Sequence, residues 1–97
     1  MPDSACPPHP GTILKRDFID TQRFTVSALA LRTGYSRKHV SKIVNGHVSV
    51  SADCALRLGR VTGTEALYWM RLQSDRDLFL ARQRMENDPK FQALRPT

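Results

Sequence analysis

The stretch Thr25–Gly46, TVSALALRTGYSRKHVSKIVNG, is the most informative part of the sequence because it holds two short helical patterns joined by a turn. Each pattern places apolar residues at the spacing of one helix face. These residues are Val26, Leu29 and Ala30 in the first pattern, and Val40, Ile43 and Val44 in the second. Thr25 and Ser36 precede the patterns as N-cap residues, and Gly34 suits the left-handed residue that ends a helix. The stretch therefore predicts a helix-turn-helix over about 25–45.

Helical patterns also fill the sequence on both sides of this motif. Ile13, Leu14 and Phe18 predict a first helix over about 10–20, with Pro10 in its first turn. A fourth helix is predicted between the N-cap Ser51 and the closing Gly63. Its inner face consists of Cys54, Ala55, Leu58 and Val61.

The last predicted helix is the longest one. It begins after Thr64, the expected N-cap, runs over about 65–87 and ends before Pro89. Its apolar stripe is rough and consists of Leu67, Met70, Leu78, Ala81 and Met85. Because no segment has the pattern of a strand, the sequence indicates an all-α fold of five helices with an extended C-terminal helix.

The length allows one domain with short tails. A chain of 97 residues can bury one core but not two. The composition, 40% hydrophobic and 25% charged, is typical of a folded domain. We expect a flexible Pro-rich tail over 1–8, a single domain over 9–88 and a frayed tail over 89–97.

The positive charge is concentrated in the middle of the chain. The net charge is +6, and no Asp or Glu occurs from Thr21 to Ala52. A basic surface without carboxylates favours a polyanionic partner such as nucleic acid, with a solvated basic face as the alternative. The cations of this stretch are Arg23, Arg32, Arg37, Lys38 and Lys42.

The second helix of the motif has the residue types that read DNA. A helix-turn-helix places this helix in the major groove, where Arg and Lys match the O6 and N7 acceptors of guanine. The predicted base-reading residues are Arg37, Lys38, Ser41 and Lys42. Hydroxyls, amides and cations near helix ends suit phosphate oxygens. The predicted phosphate contacts are Ser36, Arg32, Asn45, His47 and Ser51.

The sequence does not contain a catalytic or metal-binding constellation. His9, His39 and His47 lack the spacing of metal ligands. Cys54 has the spacing of a core residue and no paired base, so we expect two free thiols, at Cys6 and Cys54. We expect no enzyme activity, cofactor, metal or small-molecule substrate. Without a signal-peptide pattern or a membrane span, a cytoplasmic location is expected.

The long last helix has more apolar residues than one small domain can bury. Beyond Ser74 few apolar partners remain, so we assign Leu78, Phe79 and Met85 to a dimer or partner surface. Tyr68, Trp69 and Met70 fit either the core or such an interface. A homodimer would place two copies of the reading helix about 34 Å apart on a palindromic operator.

Further motifs give the sequence a family resemblance over about residues 8–82. They are HPGTIL at 9–14, VNG at 44–46, SADCALRL at 51–58 and TEALYWMRLQ at 64–73. Together with the helix-turn-helix, they resemble the lambda-repressor-like (XRE) family and, within it, the HigA-type antitoxins of bacterial toxin–antitoxin modules. The chain departs from many members of the wider superfamily at Val26, where a Gln often anchors to phosphate, and this leaves that contact open.

The resemblance implies a specific function. HigA-type antitoxins are dimeric repressors that bind their own operator DNA and neutralise a RelE-like, ribosome-dependent mRNA endonuclease. By position, the base-reading residues of the family fall on Arg37, Lys38, Ser41 and Lys42. The implied location is the bacterial cytoplasm, at the nucleoid when DNA is bound.

Two other functions fit the same residues. A stand-alone transcription regulator without a toxin would have the same sequence features, because a toxin is encoded elsewhere. A protein-interaction module that has lost operator binding is disfavoured by the basic, acid-free second helix of the motif.

Overall fold

The computed structural model describes residues 5–97, and all its regular elements are helical. The first helix, α1, continues as a π-helical turn over Lys15–Ile19, in which the Asp20 N–H donates to the Lys15 carbonyl over 2.8 Å. The α-helices are α1 Pro10–Leu14, α2 Val26–Thr33, α3 Arg37–Val44, α4 Ala52–Thr62, α5 Ala66–Met85 and α6 Pro89–Gln92. The predicted all-α fold class is confirmed, and the predicted helix-turn-helix corresponds to α2 and α3.

The two tails differ from a simple frayed chain. Residues 1–4 of the predicted Pro-rich tail lie outside the described residues, whereas the Pro7 carbonyl accepts a hydrogen bond from Arg76 of α5 over 3.0 Å. At the other end, the prediction of a frayed segment after Pro89 missed α6. Pro89 occupies the first helical position, where its missing N–H costs nothing, and the Asp88 carboxylate accepts from the Lys90 N–H.

The caps explain where the central helices begin and end. Thr25 Oγ1 accepts from the Ala28 N–H over 3.0 Å, Ser36 Oγ from His39 over 3.0 Å, and Ser51 Oγ from Cys54 over 3.2 Å. Gly34 ends α2 with a φ of 82°, a conformation that other residues adopt only with strain. These predicted caps are confirmed.

The predicted cap of α5 is wrong. Glu65, not Thr64, occupies the N-cap position of α5, and it makes no capping hydrogen bond through its side chain. Thr64 Oγ1 instead accepts from the indole N–H of Trp69 over 2.7 Å. A buried indole N–H requires a hydrogen-bond acceptor. Because the Thr64 hydroxyl fills this role, it does not cap the backbone of α5.

The core lies between α1, the helix-turn-helix, α4 and the first half of α5. Trp69 is fully buried and packs against Phe18, with 6.0 Å between the ring centroids. The other buried hydrophobic side chains are Ile13, Leu14, Leu29, Ala30, Val40, Ile43, Val50, Cys54, Ala55 and Leu58. Trp69 therefore belongs to the core, whereas Tyr68 is 40% exposed.

Only part of the apolar stripe of α5 packs on the core, at Met70, whereas Leu67, Leu78 and Met85 are exposed. Leu67 and Leu78 are 55% and 51% exposed, and Met85 is 36% exposed. The buried residues of α5 are Trp69 and Gln73. Positions 67, 78 and 85 recur at nearly whole numbers of helical turns, so these three exposed side chains lie on one side of α5.

The second half of α5 projects from the domain. No residue from 74 to 97 is buried. The radius of gyration is 16.1 Å, against about 13 Å for a compact chain of about 100 residues, and the longest axis measures 49 Å. Among the described residues, the helices are all too short or too polar to cross a lipid bilayer.

Candidate nucleic-acid interface

Helix α3 presents the predicted base-reading residues on its outer face. Val40 and Ile43 are 2% and 1% exposed and fix the inner face against the core. On a helix with 3.6 residues per turn, Lys38 and Lys42 lie on the opposite side, and both are exposed. Ser41 lies beside them, half-buried. The outer face of the helix thus presents a hydroxyl and two ammonium groups.

Arg37 lies at the edge of this outer face, next to α2. It is exposed, and its Nη1 donates a hydrogen bond to Ser27 Oγ of α2 over 3.1 Å. Residues Arg37, Lys38, Ser41 and Lys42 therefore share one surface of the molecule.

Asn45 has a different environment from the one expected for a phosphate contact. Its Nδ2 donates to the Ser41 carbonyl over 2.9 Å and to Ser41 Oγ over 3.3 Å. The amide oxygen, an acceptor, remains for solvent, and an acceptor does not bind phosphate. The Ser41 hydroxyl accepts from Asn45 and keeps its own hydrogen for an outside acceptor.

The other predicted phosphate contacts lie at the ends of α2, α3 and α4. Ser36 and Ser51 are exposed N-cap residues whose hydroxyls accept from the helix backbone and retain a hydrogen to donate. His47 is exposed just beyond α3. Arg32, near the end of α2, has its guanidinium 5.9 Å from the Phe24 ring centroid.

The cations of this surface have no acidic partners. The ion pairs within residues 5–97 are Lys15–Asp20, Arg16–Asp17 and Arg57–Asp53. Neither the cations nor the carboxylates of these three pairs belong to residues 21–52. The positive potential of α3 is therefore not neutralised within the described residues.

Arg57 of α4 holds the turn between α2 and α3. Its Nη1 donates to the Thr33 carbonyl, an otherwise unpaired group at the end of α2, over 2.7 Å. Its guanidinium also lies 4.9 Å from the centroid of the Tyr35 ring. Burial, with the nearby Cys54, raises the pKa of Tyr35 to about 12, so this ring is a neutral phenol. The turn is thus fixed by a cation from outside the motif.

His9 connects the start of α1 to the loop after α3. Its Nδ1 accepts from the Gly11 N–H over 2.8 Å, which requires the hydrogen on Nε2, and Nε2 lies 2.8 Å from the Val48 carbonyl. Burial lowers the pKa of His9 below its ordinary value of 6.5, although the bond to Val48 opposes this shift. The neutral imidazole therefore anchors the loop that leads to Ser51.

Gln73 of α5 holds the same loop at its other end. It is 5% exposed, and its Oε1 accepts from the Val50 N–H over 2.7 Å. Its Nε2 donates to Asp77 over 2.9 Å. The sequence alone does not predict these roles of His9 and Gln73, because their partners Val48 and Val50 lie far away in the sequence.

The motif HPGTIL at 9–14 requires a residue without a side chain at Gly11. A Cβ at this position would lie 1.7 Å from the carbonyl oxygen of Ile43 in α3. Helix α1 therefore abuts the C-terminal part of α3 through bare backbone. His9 and Gly11 together fix α3 against the domain.

The described residues offer no sign of a metal or catalytic centre. No group of three metal-ligating side chains is present among residues 5–97. Cys54 is buried, and this burial raises the pKa of its thiol, which is typical of a core cysteine and not of a nucleophile. Both cysteines are free thiols.

Sequence comparison finds an antitoxin among the relatives of the chain. Antitoxin HigA-1 of Vibrio cholerae serotype O1 is 33% identical over 81 residues, which cover 84% of this chain and 76% of that protein. No protein-family model matches the chain.

Solved structures with a similar fold include two antitoxins in complex with DNA. The Pseudomonas aeruginosa antitoxin HigA with the higBA promoter is 36% identical, with a TM-score of 0.82 and coverage of 93% of this chain and 97% of that chain. The antitoxin GraA in complex with its operator is 32% identical, with a TM-score of 0.84 and coverage of 100% and 97%.

Proposed function

Because the chain belongs to the HigA family of antitoxins, we propose that it is a DNA-binding antitoxin that represses its own operon. This family consists of antitoxins and DNA-binding regulators and not of enzymes. In this proposal α3 enters the major groove of a palindromic operator. The protein acts in the bacterial cytoplasm, at the nucleoid when it is bound to its operator.

One observation carries the proposal. The outer face of α3 is exposed, basic and free of carboxylates, while its inner face is fixed to the core through Val40 and Ile43. Phosphate repulsion would make a single acidic residue costly on such a face. The base-reading residues are Arg37, Lys38, Ser41 and Lys42.

Phosphate contacts flank this helix in the proposal. They come from Ser36, Arg32, His47 and Ser51, which keep donors free for phosphate oxygens. Asn45 directs its donors at Ser41, and we therefore give it the role of orienting the Ser41 hydroxyl.

The proposed assembly is a homodimer. The exposed side chains of Leu78 and Met85, with Phe79 half-buried beside them, form an apolar surface that water contacts unfavourably. Association of two copies through the second half of α5 would cover it. Two half-sites about 34 Å apart would then be read by the two α3 helices.

The proposed protein partner is a RelE-like mRNA endonuclease toxin. The support is membership of the antitoxin family. Binding of the toxin by the antitoxin would be measured by co-expression with the reading frame next to this gene, followed by co-purification and rescue of growth. A neighbouring protein that is neither toxic alone nor bound by the antitoxin would contradict this part of the proposal.

The DNA-binding part is tested by fluorescence anisotropy. The probe is the DNA immediately upstream of the protein's own gene, and the control is a scrambled duplex of equal length. Specific binding should favour the upstream DNA by about 10³-fold or more. The logarithm of the affinity should fall by about 0.9 per phosphate contact for each tenfold increase in salt.

The same experiment defines the contrary result. Equal, weak binding to both duplexes would show that the basic surface attracts DNA only through charge. The chain would then be a protein-interaction module, and autorepression would be excluded.

A further inference from the structure

Of the four proposed base-reading residues, Arg37 alone makes a side-chain hydrogen bond to another helix within the described residues. Its Nη1 lies 3.1 Å from Ser27 Oγ, ten positions earlier in the chain. We propose that Ser27 is a specificity-determining positioning residue, which orients the Arg37 guanidinium toward guanine before DNA binds. This inference rests on the proposed DNA-binding function.

The geometry leaves the useful donors of Arg37 available. A guanidinium has five N–H groups, and the bond to Ser27 occupies one of them, on Nη1. The Nε and Nη2 hydrogens remain as a parallel pair that matches the O6 and N7 acceptors of guanine. Ser27 therefore holds the guanidinium at Nη1 and leaves the bidentate edge free for a base.

The bond also reduces the cost of ordering a flexible side chain. A free arginine samples many rotamers, and these are lost when it binds one base in one geometry. Arg37 is exposed and has no acidic partner, so little else restricts it. Preorganisation by Ser27 favours the one orientation that distinguishes guanine from other bases.

Ser27 is available for this role because the helix does not need its hydroxyl. Thr25 supplies the N-cap of α2, and Ser27 is exposed in the first turn of that helix. Replacement of Ser27 by alanine removes the oxygen without opening a cavity, so the fold should be retained.

A direct phosphate contact by Ser27 would give a different signature. Such a contact weakens binding to every sequence equally, because phosphates carry no sequence information. A positioning role changes the preference for guanine at one position of each half-site and has no effect when Arg37 is absent.

The test is selection from a library of randomised duplexes, followed by measurement of relative affinity for each base at each position. The proteins are the wild type, Ser27→Ala, Ser27→Thr, Arg37→Ala and the double variant Ser27→Ala/Arg37→Ala. Ser27→Thr keeps the hydroxyl and is the matched control. Circular dichroism verifies that each variant is folded.

We expect the wild type to prefer guanine at one half-site position and Arg37→Ala to lose that preference. Ser27→Ala should reduce it by about 3- to 10-fold, the effect of one hydrogen bond, with other positions unchanged. Ser27→Thr should keep the wild-type preference for guanine, and the double variant should match Arg37→Ala.

Other outcomes distinguish a failure of the role given to Ser27 from a failure of the DNA-binding function. An unchanged profile for Ser27→Ala, or a uniform loss at all sequences, overturns the role of Ser27 while the DNA-binding function stands. A wild type that selects no sequence overturns the proposed function together with this inference.

Discussion

Two regions of this molecule use apolar residues in opposite ways. All buried residues of the described chain lie between positions 9 and 73, and none lies between 74 and 97. In the first region the core holds a charged helix, α3, in one orientation. In the second region apolar side chains such as Leu78 and Phe91 are half exposed. In the function proposed above, the first region contacts DNA and the second contacts protein.

The largest expected effect is on the free energy of unfolding, and it tests whether the core ends near residue 73. Trp69→Ala should reduce the free energy of unfolding by about 3–5 kcal/mol, because it leaves a large cavity against Phe18. Phe91→Ala, in the second region, should change it by about 0.5 kcal/mol or less. Urea denaturation measures both. A comparable loss in Phe91→Ala would show that the C-terminal segment packs on the core.

The next effect tests the second region as an association surface. The double variant Leu78→Asp/Met85→Asp should be monomeric in size-exclusion chromatography with light scattering, since it places charges on the apolar stripe. Affinity for a two-half-site operator should fall by about 100-fold, because the half-sites are no longer bound together.

The matched control for the association test is Leu56→Asp. Leu56 is 63% exposed and belongs to α4, not to the second half of α5, so this variant should remain dimeric. If the α5 double variant remained dimeric and Leu56→Asp became monomeric, the interface would lie on α4 and not on α5.

The smallest effect concerns pH and the junction of the two regions. The folded state lowers the pKa of His9, so the unfolded state binds more protons in the range just below 6.5. The free energy of unfolding should therefore be fully retained above that range and decrease as the pH falls through it. The charges near the imidazole are Arg76, which also lowers the pKa, and Asp77, which raises it.

Denaturation at several pH values between about 7 and 5.5 measures this dependence, with His9→Asn as the control. Asparagine can cap α1 through its side-chain oxygen but does not titrate. The control should be less stable at pH 7 because the bond to Val48 is lost, and its pH dependence should be weaker. Identical pH profiles for the two proteins would contradict the role given to His9.

The first region was the more predictable one from sequence because its signals are local. Thr25, Ser36 and Ser51 cap helices through backbone groups three residues away, and Gly34 acts through its own φ angle. Such signals lie within one turn and are visible in a short stretch of sequence. The boundaries of α2, α3 and α4 followed from them.

The parts that escaped prediction depend on distant partners. His9 meets Val48 and Gln73 meets Val50, and neither pairing follows from residue spacing. The spacing of the α5 stripe does not show that Met70 packs on the core while Leu67 is exposed. Burial of Trp69 and Gln73, set by tertiary packing, decides which side of α5 faces the core.

If α3 binds the operator, the position of the positive charge, and not its total, should determine the affinity for DNA. The test compares Lys42→Glu with Lys90→Glu, two exposed lysines that undergo the same change of charge, the second of them outside α5. Operator affinity is measured by anisotropy at one salt concentration. Lys42→Glu should weaken binding by about 10-fold or more, and Lys90→Glu by about 2-fold or less. Equal losses in the two variants would contradict this expectation.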